Sequence, residues 1–427
     1  MDAGTLRLGE PMRVLVGGVP ASFRVWDGAG WRTVGGAATP APVDPDTLTE
    51  LRHIATHTAW FRSGNTAGEP VTTSISEHTV RTPARALRLV WGRHADDNLS
   101  PSGRCGIVIR GITHWVTWDG SDTLTLTAGE RTRVSDPIPD TVVVNAGDTI
   151  HTVIETPHNS FYADGPMRWT SPAKRIIEGH FNGITGSMVD PGVSGAPQGI
   201  YGLTVPEWDK SVALVGDSFA EVGWGRYALH AAGLAWSDLG QWAEATPAGL
   251  PPGRLPAAGG VPYPVIVTYY GGNDSRLPLA DQQAKNIAHW RALAATGANV
   301  AIMTLHPYTT TTDGWTTVEG QSHIPERRES DRTARNDWVR DGAPLDTTTW
   351  EPYAAGTTSA SATRIGEPGH PVALPPFDQA DACETSRNSG IWRVDGGAWT
   401  GDGTHLTQHG SAMLQPYFEA WVQANLT

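Results

Sequence analysis

The chain has 427 residues, a formal net charge of −13 at pH 7, and a composition of 39% hydrophobic and 18% charged residues. Its 49 Gly and 32 Pro are spread along the whole length. This composition is typical of a loop-rich globular protein with two or three domains, and it excludes a collagen or a coiled coil. Nucleic-acid binders usually carry a Lys/Arg-rich face, so this acidic chain predicts no nucleic-acid partner.

The N-terminal stretch MDAGTLRLGEP has neither a basic region nor an apolar run, and no run of about 18 apolar residues occurs in the sequence. These features predict a soluble protein with no signal peptide and no membrane span. The two cysteines, Cys105 and Cys383, are too few for a disulfide framework and share no zinc-type spacing. We expect two isolated thiols that are wholly or partly buried.

Residues 1–48 are predicted to form a short N-terminal β segment and a linker. Phe23 and Val25 alternate with other residues ahead of an Asp-Gly turn signal, and the Pro-rich stretch AATPAPVDPD follows. The stretch TLTELRHIATHTAWF then predicts a short helix that would bring His53 and His57 to one face. No glutamate separates these histidines and no third ligand is evident, so no metal is expected.

From residue 49 to 205 the pattern is of short strands separated by turn residues, such as ALRLVWG, CGIVIRG and TVVVNAG. Strands this short and this regularly punctuated predict a β-sandwich of the jelly-roll type. Exposed tryptophans on such a domain could stack on sugar rings, but core positions are favoured in a chain with 18 tryptophans. The tryptophans concerned are Trp60, Trp91, Trp115, Trp118 and Trp169.

From residue 206 to 427 apolar strands alternate with helical stretches, the order that produces parallel βαβ units. The last helix is amphipathic. Leu406, Met413, Tyr417 and Trp421 are its predicted buried stripe.

A long insertion interrupts this rhythm between residues 310 and 395. Loops of that length in a compact domain are usually functional or disordered, so we expect the insertion to cover or shape an active site. Its charged stretch ERRESDRTARNDWVRDG predicts a helix with a solvated outer face.

One apolar strand, SVALVG, runs directly into Asp217 and Ser218, after which a helix is predicted. A serine at such a turn presents its hydroxyl outward and its backbone N–H near a helix N-terminus, where an oxyanion is stabilised. Gly, Asp and Ser are also ordinary turn residues. The alternative is therefore a plain β–α connection with serine as the N-cap.

Two further blocks stand at the ends of predicted elements. The strand VIVTYYGGND carries Gly271, Asn273 and Asp274 to the edge at which parallel sheets bind ligands. Near the C-terminus, Asp402 precedes His405 by three residues, just ahead of the last helix. Such a carboxylate can accept a hydrogen bond from His Nδ1–H, fix the tautomer and leave Nε2 to take a serine proton.

The order of these blocks resembles that of the SGNH hydrolases of the GDSL esterase/lipase superfamily. The resemblance covers about half the chain and rests on Gly216-Asp217-Ser218, Gly271-x-Asn273-Asp274 and Asp402-x-x-His405. It implies a flavodoxin-like α/β/α hydrolase domain over residues 206–427, and a serine esterase that needs no metal or organic cofactor. The β domain ahead of it is similar to the N-terminal jelly rolls of SGNH enzymes, several of which deacetylate polysaccharides.

In the mechanism that the resemblance implies, Ser218 attacks an ester carbonyl, His405 acts as general base and then acid, and Asp402 orients His405. The oxyanion hole combines the Ser218 N–H, the Asn273 side chain and a glycine N–H. Gly240 is the candidate for that glycine, and Ala243 is the alternative.

Asp217, Gly271 and Asp274 are expected to support the site structurally. Two further histidines are alternatives of less weight. His409 follows the expected base by one helical turn but has no carboxylate at the matching spacing, which favours a helix-surface role. His306 ends a predicted strand and could line the pocket, although a structural histidine is the favoured interpretation.

The head VLVGGVPASFRVWDGAGWRTV resembles the N-terminal segment of actinophage minor tail proteins. This resemblance implies a virion component, which needs no signal peptide to reach the outside of a host. The prediction is thus a phage-tail serine esterase acting on acyl esters of an actinobacterial cell-surface glycan or lipid. Other tail proteins are expected partners, and a homo-oligomer is left open.

Two alternatives to this function remain. One is a bacterial carbohydrate esterase or lipase, and the other is a non-catalytic receptor-binding or structural tail protein. The sequence leaves open whether the acyl group is acetyl or a longer chain.

Overall fold

A computed structural model of the chain describes residues 23–26, 31–34, 43–58, 71–92, 104–122, 124, 132–157, 175–178, 196–221, 224–241, 243–251, 254–255 and 263–427. The chain divides into two compact units, Met1–Asp44 and Pro45–Thr427. In the first unit, β1 (Phe23–Trp26) pairs with β2 (Trp31–Val34) in antiparallel fashion. The strand predicted at Phe23 is confirmed, and the Asp-Gly turn lies outside the described residues.

The second unit starts with strands where a helix was expected. A single 3-10 turn, η1 (Pro45–Thr47), is followed by β3 (Glu50–His53) and β4 (Thr56–Thr58). The helix prediction is wrong because strand pairing buries this segment. His53 is fully buried and accepts a hydrogen bond from the backbone N–H of Ile200 at 3.3 Å.

Two antiparallel sheets follow. The four-stranded sheet has the order β3-β12-β6-β9 and adds β6 (Arg85–Gly92), β9 (Thr132–Val134) and β12 (Ala196–Thr204) to β3. The five-stranded sheet has the order β11-β5-β10-β7-β8 and consists of β5 (Val71–Thr79), β7 (Arg104–Ile109), β8 (Ile112–Trp115), β10 (Thr149–Pro157) and β11 (Arg175–Glu178).

Apolar side chains of both antiparallel sheets meet in one buried cluster. Every second residue of β7, namely Cys105, Ile107 and Ile109, belongs to it, as the two-residue period of a strand requires. Trp91 and Trp118 are buried in the same cluster, which confirms the core position expected for them. Trp115 is half-buried beneath the Arg104 guanidinium, and Trp60 and Trp169 lie outside the described residues.

A parallel sheet forms the centre of the remaining chain. Its order is β16-β15-β13-β14-β4, and its strands besides β4 are β13 (Ser211–Gly216), β14 (Ala235–Gly240), β15 (Val265–Tyr269) and β16 (Asn299–Ile302). Every residue of β13, β14 and β15 is buried, as in a parallel sheet covered on both faces. The predicted parallel βαβ order is confirmed.

Helices cover both faces of the parallel sheet, so the chain is of mixed α/β type. Along β13, Val212 and Leu214 belong to one core cluster, whereas Ala213 and Val215 belong to another on the opposite face. The helices are α1 (Ser218–Glu221), α2 (Trp224–Ala231), α3 (Leu279–Ala294), α4 (Glu329–Arg340), α5 (Gln379–Cys383) and α6 (Gln408–Asn425). Helices α2 and α6 contribute to the first cluster, and α3 and α4 contribute to the second.

The β region and the α/β region share structure across the boundary predicted at residues 205 and 206. Strand β4 precedes that boundary but is the edge strand of the parallel sheet, paired with β14. Val90 and Tyr201 of the antiparallel sheet lie in the same core cluster as Ala213 of β13. Both regions therefore belong to one compact unit.

The insertion is built of short elements. A hairpin of β17 (Thr309–Thr311) and β18 (Gln321–His323) leads to a second 3-10 turn, η2 (Pro325–Arg327), and then to α4. A further strand pair, β19 (Leu345–Asp346) and β20 (Ala362–Thr363), precedes α5.

Helix α4 corrects the prediction of a solvated charged helix. Arg332 is fully buried and Arg335 is 1% exposed. Arg332 Nη2 lies 2.7 Å from Glu384, which is also fully buried, and its Nη1 donates to the Leu305 carbonyl at 2.7 Å. Buried charge is tolerated here because the guanidinium is paired and hydrogen-bonded, which the local charge pattern could not reveal.

The last helix, α6, is amphipathic as predicted. Of the predicted stripe, Leu406 is buried and Met413 and Trp421 pack partly buried against the same core, but the fully buried stripe of α6 is displaced by one residue. Leu414, Phe418 and Val422 are fully buried, whereas Tyr417 is 47% exposed. In the described residues no helix has an apolar stretch long enough to cross a bilayer. Cys105 and Cys383 are both buried free thiols, as expected.

Candidate active site

The turn between β13 and α1 carries Ser218. Gly216 ends β13, where a side chain would overlap the Tyr269 carbonyl oxygen and the Ala220 methyl, so glycine is required. Ser218 is the first residue of α1 and is 8% exposed. The sheet edge thus presents a nearly buried hydroxyl at a strand-to-helix turn, in the arrangement that the sequence predicted.

The structure brings Ser218, His405 and Asp402 into one hydrogen-bonded chain. His405 Nε2 lies 2.9 Å from Ser218 Oγ, and His405 Nδ1 lies 2.6 Å from Asp402 Oδ2. Because an ionised carboxylate can only accept, Nδ1 carries the proton and Nε2 is left as the acceptor facing the serine. This contact joins two residues that are 187 positions apart in sequence.

Asp402 is stabilised as a carboxylate. Its Oδ1 accepts hydrogen bonds from the backbone N–H of Thr404 at 2.9 Å and of His405 at 2.7 Å. Partial burial opposes ionisation, but the hydrogen bonds from the His405 ring and from these two N–H groups outweigh it. The pKa of Asp402 consequently lies well below its ordinary value.

The loop that holds Asp402 and His405 is fixed by the insertion. The Gly403 carbonyl accepts from the backbone N–H of Thr309 and from Trp392 Nε1, both at 3.1 Å. Gly403 has φ +78°, and a side chain there would overlap the Thr309 carbonyl oxygen. The expectation that the insertion shapes the site agrees with these contacts.

Asn273 follows β15 on a loop that also needs glycine. Gly271 has φ +116°, and a side chain on Gly272 would come within 2.7 Å of Tyr308 Oη and 2.8 Å of Asp217 Oδ2. Asn273 Nδ2 donates to the Glu244 carbonyl at 3.0 Å and lines the cavity beside Ser218. An amide group has two N–H donors, so one remains for an oxyanion.

Gly240 does not offer its N–H to the cavity. It ends β14, and its N–H donates to Asp238 Oδ1 at 3.3 Å. The alternative, Ala243, has φ +59°, the left-handed conformation that favours glycine, and it directly precedes Glu244, which accepts from Asn273. The geometry thus argues against Gly240 and leaves Ala243 as the candidate on this loop.

Asp274 holds the loops around the site together. Its Oδ2 accepts from the Thr246 N–H at 2.7 Å, and its Oδ1 pairs with Lys285 Nζ at 2.8 Å. These bonds tie the loop after β14 to helix α3.

Asp217 is 2% exposed, and its Oδ1 accepts from the Phe219 N–H at 3.0 Å. Its Oδ2 is buried without a hydrogen-bond partner among the described residues. Burial raises the pKa of Asp217 to about 7, against the Phe219 hydrogen bond and the nearby His405, which lower it.

The cavity beside Ser218 is small. It encloses about 190 Å³, including the open space at its mouth. Its lining residues are Asp217, Ser218, Phe219, Gly272, Asn273, His306, Tyr308, Arg327 and Thr404.

His306 is one of these lining residues and is fully buried. Its ring stacks on Phe219 with centroids 4.0 Å apart, and its Nδ1 is hydrogen-bonded to Tyr269 Oη. Burial lowers the pKa of His306 well below its ordinary value, so the ring is neutral. His306 thus lines the pocket, as one interpretation of the sequence had it.

Two other histidine candidates lie away from this site. His409 Nε2 is 3.1 Å from the Asp395 carbonyl. The helix expected to pair His53 with His57 does not form, and the His57 side chain is outside the described part of the structure. No group of three or more His, Cys, Asp or Glu side chains that could hold a metal ion occurs among the described residues.

Sequence reasoning missed Arg254, which connects several parts of the site. Its Nη1 donates to the carbonyls of Gly216 at 3.2 Å and Leu239 at 2.9 Å, at the ends of β13 and β14. Its Nη2 donates to Tyr270 Oη at 2.7 Å and to the Glu244 carboxylate. Nothing in the local sequence PPGRLPA marks this role, because every partner is distant in sequence.

No protein-family model and no curated protein sequence matches the chain. Among solved structures, a Bacillus subtilis protein shares 12% identity at a TM-score of 0.33, over 91% of this chain and 96% of that one. A salicylyl-acyltransferase from a tetracycline biosynthetic pathway shares 9% identity at a TM-score of 0.29, over 83% of this chain and 82% of that one. A family two carbohydrate esterase from Cellvibrio japonicus shares 11% identity at a TM-score of 0.20, over 63% of this chain and 78% of that one. Likenesses this weak decide neither activity nor substrate.

Proposed function

We propose that the chain is a serine esterase of the SGNH type, with Ser218 as nucleophile, His405 as general base and acid, and Asp402 as the orienting carboxylate. The observation that carries this proposal is the chain of contacts from Asp402 Oδ2 through His405 to Ser218 Oγ, at 2.6 and 2.9 Å. His405 Nε2 takes the Ser218 proton as Oγ attacks the ester carbonyl, and it then protonates the leaving alcohol. Water attacks the acyl-serine in a second round with the same base.

The developing oxyanion is bound by three N–H donors in this proposal. They are the backbone N–H of Ser218, the second amide N–H of Asn273 and the backbone N–H of Ala243, which takes the place first given to Gly240. Removal of one such donor typically lowers kcat by about 10²- to 10³-fold. Asn273→Ala is therefore expected to lower kcat while leaving Ser218 intact.

The substrate is proposed to carry a short acyl group such as acetyl. The cavity beside Ser218 encloses only about 190 Å³, including the open space at its mouth. Pockets that bury a larger ligand usually enclose roughly 300 to 1,000 Å³, so this cavity leaves little room for a long acyl chain. The cavity therefore supports an acetyl ester of a glycan better than a lipid ester.

The assignments of the two fold types and of the biological role are part of the same proposal. A parallel sheet covered on both faces supports a flavodoxin-like hydrolase region over residues 206–427, and the shared core of the antiparallel sheets supports a jelly-roll-like β-sandwich over residues 49–205. The phage-tail role, with a cell-surface glycan as substrate, rests on the head segment within residues 1–48 alone.

Hydrolysis of p-nitrophenyl acetate, butyrate and octanoate at neutral pH tests the activity. We expect turnover that falls with chain length, and a loss of at least about 10³-fold in Ser218→Ala. Ser330→Ala is the matched control because Ser330 is an exposed residue of α4 and should not affect the rate. Equal rates in the wild type and Ser218→Ala, or no turnover of any ester, would instead favour the non-catalytic receptor-binding alternative.

A further inference from the structure

Arg327 brings a positive charge to the cavity that Ser218 lines. It is the last residue of η2, within the insertion. Its Nη1 donates to the Gly272 carbonyl at 2.7 Å and to Ser275 Oγ at 3.1 Å, and its Cζ lies 4.8 Å from the centroid of the Tyr308 ring. These contacts fix the plane of the guanidinium before any ligand binds.

The other edge of the Arg327 guanidinium, formed by Nε and Nη2, has no acceptor among the described residues. Nε is buried without a hydrogen-bond partner there, and no described carboxylate forms an ion pair with Arg327. An unpaired donor that is shut off from water costs free energy, and Arg327 lines the cavity, so the unpaired side of its guanidinium points to a ligand there. The two parallel N–H groups of this edge match the two oxygens of a carboxylate or phosphate.

The surrounding charges favour an anion at this edge. Asp217 is the only carboxylic acid among the described residues that line the cavity, and its burial raises its pKa to about 7, so it is largely protonated in slightly acid solution. Arg327 is then the main charged group among the described residues that line the cavity.

We infer that Arg327 binds an anionic group, a carboxylate or a phosphate, on the sugar that carries the ester, so that the substrate is an acidic glycan. The inference rests on the proposed function and adds a substrate class to it. Arg327 is a specificity-determining residue here, and it takes no part in bond making or breaking.

Matched sugar esters test this inference. The probes are O-acetylated methyl glucuronide, O-acetylated methyl glucoside and O-acetylated glucose 6-phosphate, assayed by acetate release in slightly acid buffer. We expect wild-type kcat/KM to be about tenfold or more higher for at least one anionic ester than for the glucoside, which equals about 1.4 kcal/mol of selective binding. The two anionic probes distinguish a uronate from a phosphate as the group bound.

Variants of adjacent arginines identify the residue responsible. In Arg327→Gln the ratio of kcat/KM for the preferred anionic ester over the glucoside should fall to near one. Arg327→Lys keeps the positive charge but not the pair of parallel N–H donors, so it should retain part of the preference for the anionic ester. Arg328→Gln is the control because Arg328 pairs with Asp331 and does not line the cavity, so the ratio should stay at its wild-type value.

Three results would overturn the inference. Equal wild-type rates on anionic and neutral esters would show that the cavity does not select an anion. An equal loss on both substrate types in Arg327→Gln would show that Arg327 only holds the Gly272 peptide. If neither these sugar esters nor p-nitrophenyl acetate were hydrolysed, the proposed function and this inference would both be overturned. The first two results leave the esterase proposal standing.

Discussion

Asp402 contacts His405 through both of its carboxylate oxygens, one to the ring and one to the backbone N–H. This double contact fixes the ring and its tautomer relative to Ser218. Asp402→Asn keeps the size of the side chain but can present an N–H to Nδ1 and thereby favour the wrong tautomer. We expect kcat for an acetyl ester to fall by about 10²- to 10⁴-fold with little change in KM. Steady-state kinetics test this, and an unchanged kcat would contradict the assigned role.

Gly403 lies between these two residues, in a conformation that only glycine adopts without strain. In Gly403→Ala the new methyl would overlap the Thr309 carbonyl oxygen, so the loop must move away from β17. We expect loss of activity together with a lower melting temperature. Gly401→Ala is the matched control, because a methyl there would lie at an ordinary 3.6 Å from Thr407 Cγ2. Similar losses in both variants would contradict the steric argument.

Asp217 makes stability depend on pH with a definite sign. Burial raises its folded-state pKa from 3.8 to about 7, so the native state keeps a proton that the unfolded state releases. Its contribution to the free energy of unfolding therefore decreases as pH rises from about 4 to about 7. Asp217→Asn lacks this titration and keeps an oxygen to accept the Phe219 N–H. Urea unfolding at acid and slightly alkaline pH should show the wild type losing stability relative to the variant, and parallel pH profiles would contradict this.

At the scale of elements, helix α4 is held through a buried ion pair between Arg332 and Glu384. Arg332→Met leaves Glu384 buried without its cation, and we expect a loss of about 3–5 kcal/mol in the free energy of unfolding. Adding Glu384→Gln should recover part of that loss. Arg328→Met, which removes a partly exposed pair with Asp331, should cost about 1 kcal/mol or less. Denaturant unfolding gives these values, and equal costs for the two single arginine variants would contradict the role given to the buried pair.

The elements also explain how the site is assembled. The Gly216 carbonyl at the end of β13 and the Leu239 carbonyl of β14 both accept from the single guanidinium of Arg254, which also bonds the Glu244 side chain. The Glu244 carbonyl in turn holds Asn273. The loop that carries Asn273 is therefore positioned through Glu244 by a buried cation on a separate segment of the chain.

At the scale of the whole molecule, the two compact units predict different outcomes for two truncations. Removal of residues 1–44 leaves the second unit complete, so folding and esterase activity should persist. Removal of residues 1–205 takes away β4 and the preceding Ala55, whose carbonyl accepts a hydrogen bond from the Trp236 N–H at 3.1 Å. It also takes Val90 and Tyr201 out of the core. We expect this shorter protein to be insoluble or unfolded. Circular dichroism and acetyl-ester assays test both, and an active 206–427 fragment would contradict the shared core.

Local chemistry explains which features of this protein could be predicted from its sequence. The Ser218 turn, the Asn273 loop and the Asp402–His405 spacing each depend on a few adjacent residues at the end of an element, so their placement at the sheet edge could be predicted. The alternation of strands and helices likewise predicted the parallel order. The expected strand period of β7 appears in its burial pattern.

The tertiary structure decided the features that depend on distant partners. Strand pairing replaced the helix expected at His53, and Glu384 permits the burial of Arg332 on a helix whose composition indicates a solvated face. The Gly240 N–H was taken by a neighbouring carboxylate, and Arg327 reached the cavity from the insertion. In each case the free energy of a side chain or segment depends on burial and on groups brought close only by folding, which adjacent residues do not specify.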